Sequence, residues 1–113
     1  LKALESIKDI ERQTGKRLLP SIFSGYVEQM QEKLVEIRED SKHPNKTKTY
    51  RTAHAIKSMS TNVGAERVSL IAAEIAQDAK ANNFAGLTHA VIQLNNSYQE
   101  FIEEFDAYLS EKS

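Results

Sequence analysis

The sequence predicts an all-α protein: an antiparallel up-down-up-down four-helix bundle preceded by a short additional N-terminal helix. Three observations carry that expectation. Apolar residues recur at spacings of three and four through long segments, the period of one face of a helix. Glycine occurs only four times and proline twice, so helix breakers are rare, and all but Gly25 sit at the edges of the periodic segments. No segment keeps up the period-two alternation of a half-buried strand. At 113 residues, with 40% hydrophobic and 27% charged side chains, the chain is long enough to bury a core without disulfide or metal staples. The expected organisation is one domain over residues 1–113, with the first helix and its connection in 1–17 and the bundle in 18–113.

Each element has its own signal. Leu4, Ile7 and Ile10 mark the first helix, which Gly15 terminates. Pro20 stands at the start of the second, where its missing N–H costs nothing. The stripe of that helix is Leu19, Phe23, Tyr26, Met30, Leu34 and Ile37, flanked by Ile22 and Val27. The segment "EDSKHPNKTK" breaks the period, and Asn45 can cap the next helix. That third helix is expected from about Asn45 to Val63, closed by Gly64. A fourth carries Val68, Ile71, Ala72, Ile75 and Ala79 and ends at "ANNFAG". The last has the longest seam: Leu87, Val91, Leu94, Tyr98, Phe101, Phe105 and Tyr108, with Ile102 and Leu109 alongside. Its aromatic members have the spacing of core packing and not of a cofactor box.

Composition narrows the function. Without cysteine there is no disulfide framework, thiolate nucleophile or thiolate metal site, which suits a reducing, cytoplasmic setting. A net charge of −1 gives no reason to expect nucleic acid or an anionic membrane as partner. No apolar run approaches the roughly 20 residues that cross a bilayer. The chain begins at Leu1 with no leader pattern, as expected for a piece of a longer protein. His43 in a connection and His89 on a polar flank have no ligand partner at i+3 or i+4. Glu100, Glu103, Glu104, Asp106 and Glu111 spread along a solvated helix face. Neither a metal site nor a cofactor is expected, and the fully used seams favour a monomer.

The remaining candidate is His54, in "RTAHAIKSMSTNVGAERVS" (residues 51–69). On the third helix Thr49, Ala53, Ile56, Ser60 and Val63 form the core face. His54 points about 150° from its centre and is expected in solvent. Lys48, Tyr50, Arg51, Lys57, Ser58, Thr61 and Ala65 share its side, so the imidazole stands among small and cationic residues. Lys46 and Lys48 in the first turn oppose the helix dipole, which suggests a purpose other than helix stability. No Ser or Cys pairs with His54 as nucleophile and base, and no carboxylate stands at helical spacing to orient its ring. A neutral imidazole can itself attack an electrophile, and Lys57, one turn on, could pair with a phosphoryl group carried on the ring.

"AHAIKSMSTNVGA" resembles the signature of histidine phosphotransfer (HPt) domains of bacterial and fungal phosphorelays, through Ala53, His54, Ile56, Lys57, Ser60, Val63, Gly64 and Ala65. "LLPSIFSGYVEQMQEKLVEI" and "RVSLIAAEIAQDAKANNF" resemble the helices before and after it, so the resemblance covers almost the whole chain. It implies that His54 accepts a phosphoryl group from a receiver-domain aspartyl phosphate and passes it to another receiver aspartate, with Lys57 steadying the phosphate. It implies a docking face that includes Arg51, Ser58, Thr61, Ala65 and Lys80, and a divalent cation supplied by the receiver. It also implies a phosphocarrier without kinase activity, placed in the C-terminal part of a hybrid sensor histidine kinase. Ser58 departs from the pattern, which has Gly there, and Met59 replaces a Ser or Ala. The alternative from a different class is a helical interaction module that docks a partner on the cationic face without any transfer.

Overall fold

The computed structural model describes residues 2–15 and 18–111, except for the side chains of residues 2–4, 6, 7 and 111. The side chains of Leu4, Ile7 and Glu111 therefore lie outside the described residues. Five helices follow one another: α1 (Lys2–Thr14), α2 (Leu19–Lys42), α3 (Lys46–Asn62), α4 (Glu66–Lys80) and α5 (Leu87–Glu111). No strand occurs among the described residues.

The helix ends have identifiable causes. Gly15 closes α1 with φ 71°, its N–H donating to the Glu11 carbonyl at 2.8 Å. Leu18 precedes α2 and has no polar side chain to cap it. Glu11 of α1 fills that role: one carboxylate oxygen accepts from the backbone N–H groups of both Leu18 and Leu19, two donors a helix leaves unpaired at its start. Asn45 caps α3 by accepting from the Lys48 N–H at 2.9 Å. Past α3, Gly64 adopts φ 79°. The Gly64 N–H donates to Thr61 O and the Ala65 N–H to Ser60 O, a Schellman closure that needs a left-handed residue. Asn82, at φ 57°, ends α4 with the same pair of bonds, to Ala79 and Asp78.

Each of α2 and α4 packs against both α3 and α5. Cross-helix contacts give the directions. Tyr26 meets Ser60 near one end of the α2–α3 pair and Asp40 meets Lys48 near the other, so α2 and α3 are antiparallel. Phe23 against Phe105 (4.9 Å between centroids), with Tyr26 against Phe101 (5.7 Å) and Tyr98 (5.9 Å), makes α2 and α5 antiparallel as well. The core is the predicted one: Leu19, Tyr26, Met30, Leu34 and Ile37 from α2, Ala53 and Ile56 from α3, Val68, Ile71, Ala72 and Ile75 from α4, and the α5 seam from Leu87 to Phe105. Met30, Ile37, Ile56, Leu94 and Phe105 are fully buried, each contributing about 1.5–3 kcal/mol of transfer free energy. The face α3 turns inward is built from small and polar residues, with Thr49, Ala53 and Ser60 at zero exposure, so its backbone can lie close to α2 and α4. Ile10 is the exception, 47% exposed on α1.

Two buried polar features accompany this packing. The Tyr26 hydroxyl and Ser60 Oγ are hydrogen-bonded at 2.8 Å in the core. Asp40 is 2% exposed; its Oδ1 lies 3.4 Å from Lys48 Nζ, and its Oδ2 has no hydrogen-bond partner among the described residues. For Lys48 this is the purpose other than helix stability that the sequence suggests. Its ammonium opposes the α3 dipole because it neutralises a buried carboxylate at the end of α2.

Removing that ammonium strands a buried charge, whereas removing its neighbour does not. Lys48→Ala is expected to lower the urea-unfolding free energy by about 1–3 kcal/mol, and Lys46→Ala to stay within about 0.5 kcal/mol. Burial raises the pKa of both Tyr26 and Tyr98; for Tyr26 the Ser60 bond offsets part of the rise and Tyr98 adds to it. A phenol raised above its unfolded value stabilises the fold fully below about pH 10, and the contribution is lost as pH climbs past that value. Tyr26→Phe should therefore be about 1 kcal/mol less stable at neutral pH, from the lost bond to Ser60, yet lose less stability than the parent above about pH 10. Urea titrations at several pH values check both.

Candidate functional site

His54 stands exposed in the middle of α3, as the helical spacing predicts. Around it Arg51, Lys57, Ser58 and Thr61 are exposed. Among the described residues neither Arg51 nor Lys57 makes an ion pair, so both cations are available to an incoming anion. Met59 is half-buried and packs against the core, in keeping with its place at the edge of the inward face.

Side-chain bonds fix the α3–α4 hairpin beside the histidine. Thr61 Oγ1 and Ser69 Oγ lie 2.6 Å apart. Thr61 donates to the Lys57 carbonyl at 2.8 Å, which leaves Ser69 to donate to Thr61, with the same carbonyl at 3.3 Å as its longer alternative acceptor. In this antiparallel register the stripe Tyr50, His54, Lys57, Thr61 runs along α3 beside the stripe Ser69, Ala73, Lys80 of α4. Lys80, the last residue of α4, is exposed. The hydroxyl of Thr61 is thus already committed to holding the hairpin.

Ala65 is a correction. The chain leaves α3 at Gly64, and the left-handed turn there carries Ala65 under the start of α4, where it is 2% exposed and belongs to the core. It offers no side chain to a partner. A helical wheel of α3 extended past the glycine puts it on the histidine side, but the helix no longer exists at that point.

The His54 helix forms a ridge between two open grooves of different character. On the α2 side Lys33, Glu36, Thr47, Lys48 and Arg51 make a charged groove. On the α4 side Lys57, Thr61, Ser69, Leu70 and Ala73 line a largely apolar one. Leu70, 63% exposed, is its most prominent member and is not among the residues expected from the sequence. A leucine outside the buried stripe of an otherwise regular amphipathic helix is the signal that points to it. The other unforeseen contact is Tyr50, whose ring stacks on that of His54 with centroids 5.8 Å apart and planes at 14°. Its i, i+4 spacing is visible in the sequence, but an aromatic residue stands out there less than an orienting carboxylate would.

Of the remaining histidines, His43 follows the last residue of α2 and His89 lies in the first turn of α5; both are exposed. The carboxylates Glu100, Glu103, Glu104 and Asp106 are also exposed. Among the described residues no three His, Cys, Asp or Glu side chains come together as a metal site. No described helix is long and apolar enough to cross a membrane. No curated protein and no solved structure matches the chain significantly. The family model of the Hpt domain does, over residues 21–111, a span that takes in α3 with His54 at its centre, α4, α5 and all but the first two residues of α2. The chain therefore belongs to the Hpt domain family, phosphocarriers of phosphorelay signalling.

Proposed function

We propose that His54 is the residue that takes up and hands on the phosphoryl group. The observation that carries this reading is an imidazole held in solvent at the middle of a well-packed helix, with an unpaired ammonium, Lys57, one turn away. Its donor is an aspartyl phosphate on a receiver domain. A lone pair of the imidazole attacks phosphorus, an N–P bond forms, and the P–O bond to the aspartate breaks with its electrons leaving on the carboxylate. The phosphorylated ring then releases its N–H proton to solvent. Transfer to a second receiver aspartate is the reverse sequence. The divalent cation for both steps belongs to the receiver, and His54, as nucleophile, needs none of its own.

Docking rests on the ridge and its grooves. Arg51, Ser58, Thr61 and Lys80 present small or cationic groups toward a receiver active site rich in carboxylates, an arrangement that chiefly raises the association rate. Leu70 and Ala73 add apolar surface next to Lys57. Ser58 stands one turn from His54, where a small side chain keeps approach open. On this reading the domain belongs to the cytoplasmic, C-terminal part of a hybrid sensor histidine kinase, acting as a carrier and not as a kinase.

Incubation with a phosphorylated receiver should give acid-labile, alkali-stable phosphate on the protein. His54→Gln should abolish that uptake while changing unfolding free energy by no more than about 0.5 kcal/mol; label remaining on the variant would move the site to another histidine. Absence of uptake by the parent protein with every receiver tested would favour a purely docking role for the same face.

Lys57→Ala should leave phosphorylation possible but slow transfer and shorten the phosphohistidine lifetime. A charge-assisted bond is worth roughly 1.5–3 kcal/mol, less where water competes. Ser58→Gly should transfer as the parent does, at up to about 1 kcal/mol of helix stability, whereas Ser58→Gln should transfer much more slowly. Timed transfer from one receiver to the three variants checks this, and a Ser58→Gln protein as fast as the parent would remove position 58 from the docking face.

A further inference from the structure

We infer that Tyr50 is a positioning residue for the His54 imidazole, holding the ring in the plane from which its outer nitrogen can attack. The inference rests on the reading of His54 as phosphoacceptor and adds a group the helix signature does not contain.

No polar contact tethers the ring. Among the described residues neither nitrogen of His54 has a hydrogen-bond partner, and its flanking side chains on α3 are an alanine on each side, with Ser58 a turn away. Rotation about the bond joining ring to side chain is intrinsically soft in histidine, with broad minima. An exposed imidazole with no polar tether therefore samples many ring planes, and few of them aim a nitrogen lone pair along the line to phosphorus. In-line displacement is sensitive to that aim, because orientation is a large part of what a pre-formed site contributes.

Tyr50 supplies the restraint. It lies four residues before His54 on the same stripe, where helical side chains meet. Its ring is nearly parallel to the imidazole, at 14°, with 5.8 Å between centroids, inside the range of offset-stacked aromatic pairs. Unlike His54 it is half-buried and packs against the hydrophobic core, so its own plane is set by its surroundings. The stack passes that plane on to the exposed ring, covers one of its faces, and leaves the edge carrying Nε2, the nitrogen farther from the backbone, open to a docked receiver. The hydroxyl of Tyr50 has no hydrogen-bond partner among the described residues, so the ring and not the phenol group carries the role.

The test uses the whole chain with a phosphorylated receiver varied in concentration. Tyr50→Leu keeps an apolar group against the core but removes the stack. Tyr50→Phe keeps both. The maximal transfer rate at saturating receiver should fall about two- to tenfold in Tyr50→Leu, the range a stacking contact supports. It should return to the parent value in Tyr50→Phe, with the half-saturating receiver concentration unchanged in both. In proton NMR the His54 ring resonances should show a ring-current displacement in the parent and Tyr50→Phe proteins that is lost in Tyr50→Leu. A fall in Tyr50→Phe as large as in Tyr50→Leu, a loss confined to the half-saturating concentration, or an unshifted parent His54 resonance would each overturn the inference. Failure of the functional reading looks different: the parent itself takes up no phosphate on His54. A labelled parent with an equally fast Tyr50→Leu variant sinks the positioning role alone.

Discussion

Tyr26 joins three of the four bundle helices at one point. Its hydroxyl reaches across to Ser60 of α3, and its ring sits edge-on to Phe101 and tilted against Tyr98 of α5. A buried hydroxyl without a partner is costly, so the serine on the inward face of α3 is needed as much as the tyrosine. The pair sets how α3 is rotated about its own axis. With Ser60 turned inward to meet the phenol, the periodicity of the helix turns His54 outward. The exposed side of α3 is thus set, at the level of the helix, by a hydrogen bond on the opposite face.

The same logic explains why α3 looks so little like its neighbours. Its inward residues are Thr49, Thr52, Ala53, Ile56 and Ser60, a face that buries little apolar area. Such a helix gains stability from close approach and from hairpin bonds at its edge: the Thr61–Ser69 bond, the bond from Thr61 to the Lys57 carbonyl, and the closure at Gly64. Small inward residues bring the backbone of α3 near those of α2 and α4. The outward side carries the exposed cations Arg51 and Lys57.

Much of this is legible in the sequence, because helical period, caps and breakers are local signals. The α5 seam from Leu87 to Phe105, the Asn45 cap and the glycine stop at 64 need no knowledge of what lies across the core. The exposure of His54 comes from the wheel of its own helix. What escapes is contact between elements. Asp40 reads as one more polar residue in "EDSK", and only the fold brings it under Lys48. Ala65 is misplaced because a wheel continues past a turn that the chain does not. Leu70 becomes prominent only once the neighbouring groove exists. Tyr50 differs from these, since its spacing to His54 is plain in the sequence. Whether two such rings stack depends on their rotamers, and the packing that fixes the tyrosine comes from the core.

The bond from Glu11 to the start of α2 bears on where this fold begins. The family match opens at residue 21, two residues into α2, and by that measure α1 is an appendage. Yet the first backbone donors of α2 have no side-chain cap of their own and are satisfied by a carboxylate from that appendage. Family pattern and closure of structure therefore draw different borders. The pattern the family shares starts inside a helix whose first turn is finished by residues lying upstream of it, so the smallest unit recognisable as family is smaller than the smallest unit whose ends are sealed.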